Sequence, residues 1–181
     1  MSAVTTQRLL LRPSDLLTHY ALPLYLLMPS AVAAYSLLTK HYVSSAIPAM
    51  AIMCFVTLVA SGLSAWYQTR ALRFRVFQTS SDAHENYEKV LHAMHTEHWQ
   101  VQHAHHNSQI VATVRGLPLS WGERVEVRFH GGSVLVNSIC DPGKFPSVVS
   151  WGRNREHVSY IGGVVTTSNQ PLQPTAGRSD D

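Results

Sequence analysis

Two long stretches near the start of the chain contain no aspartate, glutamate, lysine or arginine. They cover residues 16–39 and 41–69, and only Lys40 separates them. At a rise of about 1.5 Å per residue, a helix over either stretch can cross a hydrocarbon core of ~30 Å. The remaining chain leaves room for one soluble domain of about 95 residues. The sequence therefore predicts a two-helix transmembrane hairpin followed by a small soluble domain.

The transmembrane spans are placed at Tyr20–Leu38 and Ala46–Tyr67, because aromatic residues occur at their ends as they do at membrane interfaces. Small residues four positions apart within the spans would let the helices pack closely. These pairs are Ser30/Ala34, Ala60/Ser64 and Ser61/Ala65. A cleaved signal peptide is the alternative for the first stretch, because residues 31–33 (AVA) resemble a cleavage site. The apolar run is, however, longer than the roughly 7–15 residues of a signal peptide and lies well inside the chain.

Five arginines lie at the outer ends of the hairpin, whereas the connection between the spans has only Lys40. They are Arg8, Arg12, Arg70, Arg73 and Arg75. Because positive charge accumulates in cytoplasmic segments, this arrangement predicts a multi-pass protein with both termini and the soluble domain in the cytoplasm. The N-terminal cytoplasmic segment is then residues 1–19, and the lipid bilayer is the predicted partner.

Charge and cysteine content exclude other classes. The net charge of +3 is small and scattered, so we predict no nucleic-acid partner. Cys54 lies in the second apolar stretch and Cys140 in the soluble part, which makes a disulfide between them unexpected.

Residues 76–165 are predicted to form an α+β domain. A helix over 82–98 has Asp82 or Ser81 as a cap, with Glu85 three residues after Asp82. Four strands follow, and alternation in the middle strands indicates one buried and one solvated face. They include residues 99–103, 110–114, 125–129 and 134–139.

A short second helix is predicted from Gly152 to Ile161, ended by Gly162-Gly163. This order of elements gives a two-layer fold with a helix, a four-stranded antiparallel sheet and a short helix. Residues 166–181 are rich in Pro, Ser, Thr and Gln without an apolar period, and are predicted to be a disordered tail.

The sequence Ser-Trp-Gly occurs twice, at 120–122 and 150–152, and it carries a family resemblance. With S-W-G-E at 120–123, F-P at 145–146 and W-G-R-N at 151–154, the chain resembles a family of uncharacterised small bacterial membrane and envelope proteins. The resemblance covers residues 83–161 and implies the α+β fold, but no activity. Together with the charge pattern, it places the chain in the bacterial inner membrane.

Both tryptophans of this repeat are expected to cover the core, with the glycines relaxing the backbone beside them. The alternative is a ligand or partner surface that includes Trp121, Trp151, Arg153 and Asn154.

Seven of the eleven histidines fall between residues 84 and 106. His92 and His95 lie on one flank of the predicted helix, while the next strand carries His103 and His105 on one face. Histidine side chains at either spacing can bind one metal ion together, because imidazole is a ligand for Zn, Cu and Ni. No acidic or cysteine ligand accompanies them at a recognised spacing, and H-E-x-x-H is absent. A polar surface is the prediction, and a metal-binding or pH-responsive domain using these four histidines is the alternative.

The sequence contains no pattern typical of an enzyme. It lacks a phosphate loop, a dinucleotide glycine pattern and paired carboxylates, and no base is indicated for Cys140. We therefore predict no catalytic, cofactor-binding or metal residues and no cofactor. The leading interpretation is a non-enzymatic, membrane-tethered interaction or accessory domain, with a protein partner or a second copy of the chain.

Overall fold

The N-terminal part of the molecule is a helical hairpin. The computed structural model describes residues 7–39, 44–115, 122–143 and 152–167. Its first elements are α1 (Pro13–His19), α2 (Ala21–Leu38), a short 3-10 turn (Ser44–Ala46) and α3 (Ile47–Ala71). Both α2 and α3 are long and apolar enough to cross a membrane. Helix α3 continues to Ala71, four residues beyond the predicted end of the second span at Tyr67.

Hydroxyl groups connect α2 with α3. Ser61, which is buried, donates a hydrogen bond to the carbonyl oxygen of Pro23 at 2.9 Å. The hydroxyl oxygens of Ser30 and Thr57 lie 2.6 Å apart. Small polar side chains allow two helix backbones to approach closely, so the sequence pattern at Ser30 and Ser61 has a packing role here.

The C-terminal part is α+β, and its sheet is antiparallel as predicted, but it has five strands rather than four. The strand order is β1-β5-β4-β3-β2. The strands are β1 (Arg75–Gln78), β2 (Gln100–His105), β3 (Gln109–Val114), β4 (Glu123–His130) and β5 (Ser133–Cys140). The additional strand is β1, which directly follows α3 and pairs with the edge of β5.

Two helices cover one face of the sheet, which we call the helix face: α4 (Ala83–Thr96) and α5 (Arg153–Thr167). The predicted cap at the start of α4 is confirmed, because Asp82 Oδ1 accepts a hydrogen bond from the Glu85 amide at 2.8 Å. Alternate strand residues point into the core with both helices. This core contains Met94, Ile110, Val127 and Ile161, all fully buried.

The last helix does not end at Gly162-Gly163, so that prediction was wrong. Instead, α5 continues to Thr167 and includes Thr166, which had been assigned to the tail. Gly162 is buried where α5 passes the ring of Phe77 in β1. Close packing against a strand that the sequence did not reveal therefore explains this glycine. The rest of the predicted tail, residues 168–181, lies outside the described residues.

The second face of the sheet, which we call the outer face, was predicted to be solvated, but part of it is covered. Apolar residues from the N-terminal segment and from the end of the hairpin pack on β5. They form one cluster: Leu9, Leu72, Phe74, Leu135 and Ile139. The Leu9 amide donates to the Leu72 carbonyl at 2.8 Å, so the N-terminal segment runs beside the end of α3. The soluble domain is thus packed directly against the hairpin.

Candidate functional site

A polar concavity of about 470 Å³ lies at the C-terminal end of α4, between that helix, the sheet and α5. Its lining residues are Glu97, His98, Trp99, Val114, Arg115, Arg153, Glu156, His157 and Tyr160. Clefts that combine an apolar wall with a few convergent polar groups are typical binding sites. This concavity is therefore the first candidate for a functional site.

The end of α4 shapes one wall of the concavity. Trp99 donates its amide to the Met94 carbonyl at 2.8 Å and His98 donates to the His95 carbonyl at 3.0 Å. These two bonds form a Schellman motif, which requires a left-handed residue after the helix. Here that residue is His98, with φ of 57°. The tight reversal brings Trp99 back against α5, where its ring meets that of His157 edge-on at 5.1 Å.

A buried histidine and a buried carboxylate lie next to this wall. The Nε2 atom of His157 is 3.8 Å from the Oε2 atom of Glu123, and both side chains are buried. Burial lowers the pKa of His157, and the Glu123 carboxylate partly opposes this shift. Burial disfavours the charged form of an imidazole, so His157 is biased toward its neutral form.

The rim adds groups of both charges. Burial raises the pKa of Tyr160, and the Glu97 carboxylate shifts it in the same direction. Nη1 of Arg153 is buried without a hydrogen-bond partner among the residues that the structure describes. Within the described lining, no serine, threonine or cysteine stands as a nucleophile beside His157. The arrangement can bind a polar group, but it does not assemble a nucleophile with its base.

The second Ser-Trp-Gly sequence, at 150–152, directly precedes Arg153, which lines this concavity. Trp121 and Trp151 themselves lie outside the described residues, so their predicted core role stays a prediction. Asn154, the last residue of the W-G-R-N motif, accepts a hydrogen bond from the Ser138 hydroxyl at 3.0 Å. That residue joins α5 to the sheet.

The four histidines of the metal-binding alternative do not converge. His92 and His95 are exposed on α4, in the helix layer. His103 pairs with Val111, whereas its neighbour Ala104 pairs with Ile110 of the core. Directly paired residues share a face of the sheet, which places His103 on the outer face. The sheet therefore separates the helix histidines from the strand histidines.

A different set of side chains does come together. Ligand atoms of His84, Glu88 and His106 all lie within 4.8 Å of one another, and all three residues are exposed. Sequence reasoning missed this group because it joins the start of α4 to the turn after β2. The available signal was the spacing of His84 and Glu88, which are four residues apart and therefore share a helix face.

A buried carboxylate organises polar groups on the outer face. Glu126, only 3% exposed, accepts hydrogen bonds from Arg128 Nη2 at 2.8 Å and from Gln109 Nε2 at 2.7 Å. Arg124 lies 3.5 Å from its other oxygen. Alternation in β4 had marked these charges as solvated, but they form a network beneath the N-terminal segment. The two arginines therefore compensate the buried charge of Glu126.

Comparison with known proteins identifies no relative: no family model matches the chain, and no curated protein or solved structure matches it significantly. The resemblance to the bacterial envelope family therefore stays a prediction.

Proposed function

We propose that this chain is a multi-pass protein of the bacterial inner membrane, with both termini in the cytoplasm and a non-enzymatic interaction or accessory domain held at the membrane face. The observation that carries the proposal is the exposure of the hairpin. Its large apolar side chains face outward, with Phe55 70%, Ile52 66% and Tyr25 69% exposed. Lipid would cover such a surface, whereas the core helix of a soluble protein would bury it.

Contacts between the two ends of the hairpin support the proposed orientation. His19 Nε2 lies 3.2 Å from the Gln68 carbonyl oxygen, and the Tyr20 hydroxyl lies 3.0 Å from that of Thr69. These contacts hold the start of α2 beside the end of α3, as in an antiparallel hairpin with both ends on one side. The arginines near those ends favour the cytoplasmic side.

The concavity beside Trp99 supports an interaction role. Nη1 of Arg153, which has no hydrogen-bond partner among the described residues, could donate to a carbonyl or carboxylate of a protein partner or of a second copy of the chain. The described lining has no nucleophile beside His157, which favours binding over catalysis. No feature of the described lining favours nucleic acid or a cofactor.

Topology reporters test the membrane part of this proposal. Fusions at residue 1 and after residue 166 should both report the cytoplasm, and a reporter inserted at Lys40 should report the opposite side. A periplasmic signal after residue 166 would refute the proposed orientation. Extraction of the protein from membranes by alkaline carbonate, without detergent, would refute membrane integration itself.

A further inference from the structure

Three metal-ligating side chains meet at the edge of the domain where α4 begins. His84 and Glu88 are one helical turn apart, and His106 is the first residue after β2. Their ligand atoms lie within 4.8 Å of one another. Small side-chain rotations would bring the three ligand atoms onto a single ion, because all three side chains are exposed.

A hydrogen bond already orients one of the two imidazoles. His84 Nδ1 donates to Asn107 Oδ1 at 3.1 Å, which leaves the Nε2 lone pair available to a cation. Metal-ligating histidines typically donate their other ring nitrogen to a carbonyl or carboxylate, which fixes the tautomer. Asn107 lies in the turn between β2 and β3 with a left-handed backbone, at φ of 55°.

Aromatic packing holds the second imidazole. The ring of His106 meets Tyr87 edge-on, with 5.2 Å between the ring centroids, and Tyr87 in turn packs on Phe129 of the core. The centroids of His84 and His106 are 5.3 Å apart. The two nitrogen ligands are therefore presented by a rigid helix start and by a turn backed by the core.

We propose that His84, Glu88 and His106 bind a divalent first-row transition metal ion, with Zn²⁺ as the reference ion. Two imidazole nitrogens and one carboxylate oxygen suit Zn²⁺, whereas Ca²⁺ and Mg²⁺ prefer oxygen ligands alone. Three protein ligands leave a further position for water. The neighbouring cation Lys89 does not oppose the site, since it pairs with Glu85. This inference is independent of the membrane proposal.

Bound metal would connect the start of α4 to the β2–β3 turn, so binding must appear as added stability of the domain. The experiment uses the full-length protein in detergent micelles, without a polyhistidine tag, after removal of metal with a chelator. Zn²⁺ is titrated by calorimetry above pH 7, where histidine is mostly neutral. Co²⁺ absorption spectra then report the coordination geometry. We expect one saturable site and a higher melting temperature with Zn²⁺.

Substitutions assign the site. His84→Ala and His106→Ala should each weaken Zn²⁺ binding at least ~10-fold and abolish the thermal shift, with Glu88→Gln weaker in effect. The matched control is His92→Ala/His95→Ala, which removes two exposed histidines of the same helix and should leave the Zn²⁺ affinity and the Zn²⁺-induced thermal shift unchanged.

Asn107→Gly tests the orienting hydrogen bond without deleting a ligand. Glycine accepts the positive φ of this turn, so the fold should persist while Zn²⁺ affinity falls by about 10-fold. Circular dichroism of each variant shows whether it has folded. The proposal is overturned if no saturable site exists, if the control loses binding equally, or if folded His84→Ala and Glu88→Gln variants bind as the parent does.

Discussion

The two adjacent glycines in α5 allow a sharp test of the packing between that helix and β1. A Cβ atom added at Gly162 would lie 2.5 Å from Cζ of Phe77, well inside van der Waals contact. A Cβ atom at Gly163 would meet no heavy atom within 4 Å. Both glycines lie inside α5, so the two positions differ mainly in what surrounds them.

Both substitutions to alanine gain the same helix propensity, about 1 kcal/mol. Gly163→Ala should keep this gain and raise the melting temperature by about 4–8 °C for a domain of this size. Gly162→Ala also introduces overpacking against Phe77, which costs about 1–3 kcal/mol. Because the propensity gain cancels between the two variants, their difference in unfolding free energy measures the overpacking alone.

The assay is thermal unfolding of the full-length protein in detergent, followed by circular dichroism. In a Phe77→Leu background, which removes the ring atoms nearest the new methyl group, the penalty of Gly162→Ala should shrink. Equal stabilisation by Gly162→Ala and Gly163→Ala would refute the described packing of α5 on β1.

Three further predictions concern single side chains. His98→Gly should stabilise the domain by about 1 kcal/mol, because glycine adopts φ of 57° without strain, whereas His95→Gly inside α4 should destabilise it by a similar amount; equal effects in thermal melts would contradict the Schellman motif. The pKa of His157 is lowered in the folded state, so stability should be full above about pH 6.5 and fall as the pH drops below it. His157→Gln should make that decline in stability smaller. It should not abolish the decline, because burial also lowers the pKa of His19. A variant whose stability depends on pH as the parent's does would contradict the lowered pKa of His157. Glu126→Ala should lower the free energy of unfolding by about 2–3 kcal/mol, measured with denaturant. This is less than for a fully buried pair, because the side chains of Arg124 and Arg128 are 27% exposed. A change near zero would show that the network is solvated.

Local patterns predicted the elements that carry their own signals. The uncharged stretches gave α2 and α3, and the Asp82 cap with its apolar stripe gave α4. The strand β1 has no such signal, because its four residues (RVFQ) are mostly exposed and follow a run of arginines. It exists because β5 offers an edge to pair with, and that edge is a property of the folded sheet rather than of the segment.

The covered outer face had a signal in the sequence that alternation alone obscured. Residues 134–136 (VLV) are consecutive apolar residues, a pattern typical of strands buried on both faces. In the structure Val134 and Val136 face the helices, and Leu135 contacts the cluster with Leu9 and Phe74. The charged residues of β4 on the same face masked this, since a side chain such as Glu126 can be buried once arginines pair with it.

The histidine cluster was out of reach for a different reason. Spacing along a helix or strand shows which residues share a face, but not which face meets another element. His84 and His106 meet because the register of β2 on β3 places the intervening turn beside the start of α4. The irregularity in that register between Val101 and His103 carries no marker in the sequence.

The junction between hairpin and sheet determines how the domain is held. Asn137 of β5, 2% exposed, donates to the carbonyl oxygens of Ala71 at 2.8 Å and Arg73 at 2.9 Å, where α3 ends. Carbonyl groups at a helix end need such partners when they are buried. Together with the apolar cluster around Leu9, these bonds fix the sheet on the end of α3. Under the proposed topology, a partner bound to the domain would therefore act on a membrane helix through packed and hydrogen-bonded contacts rather than through a flexible tether.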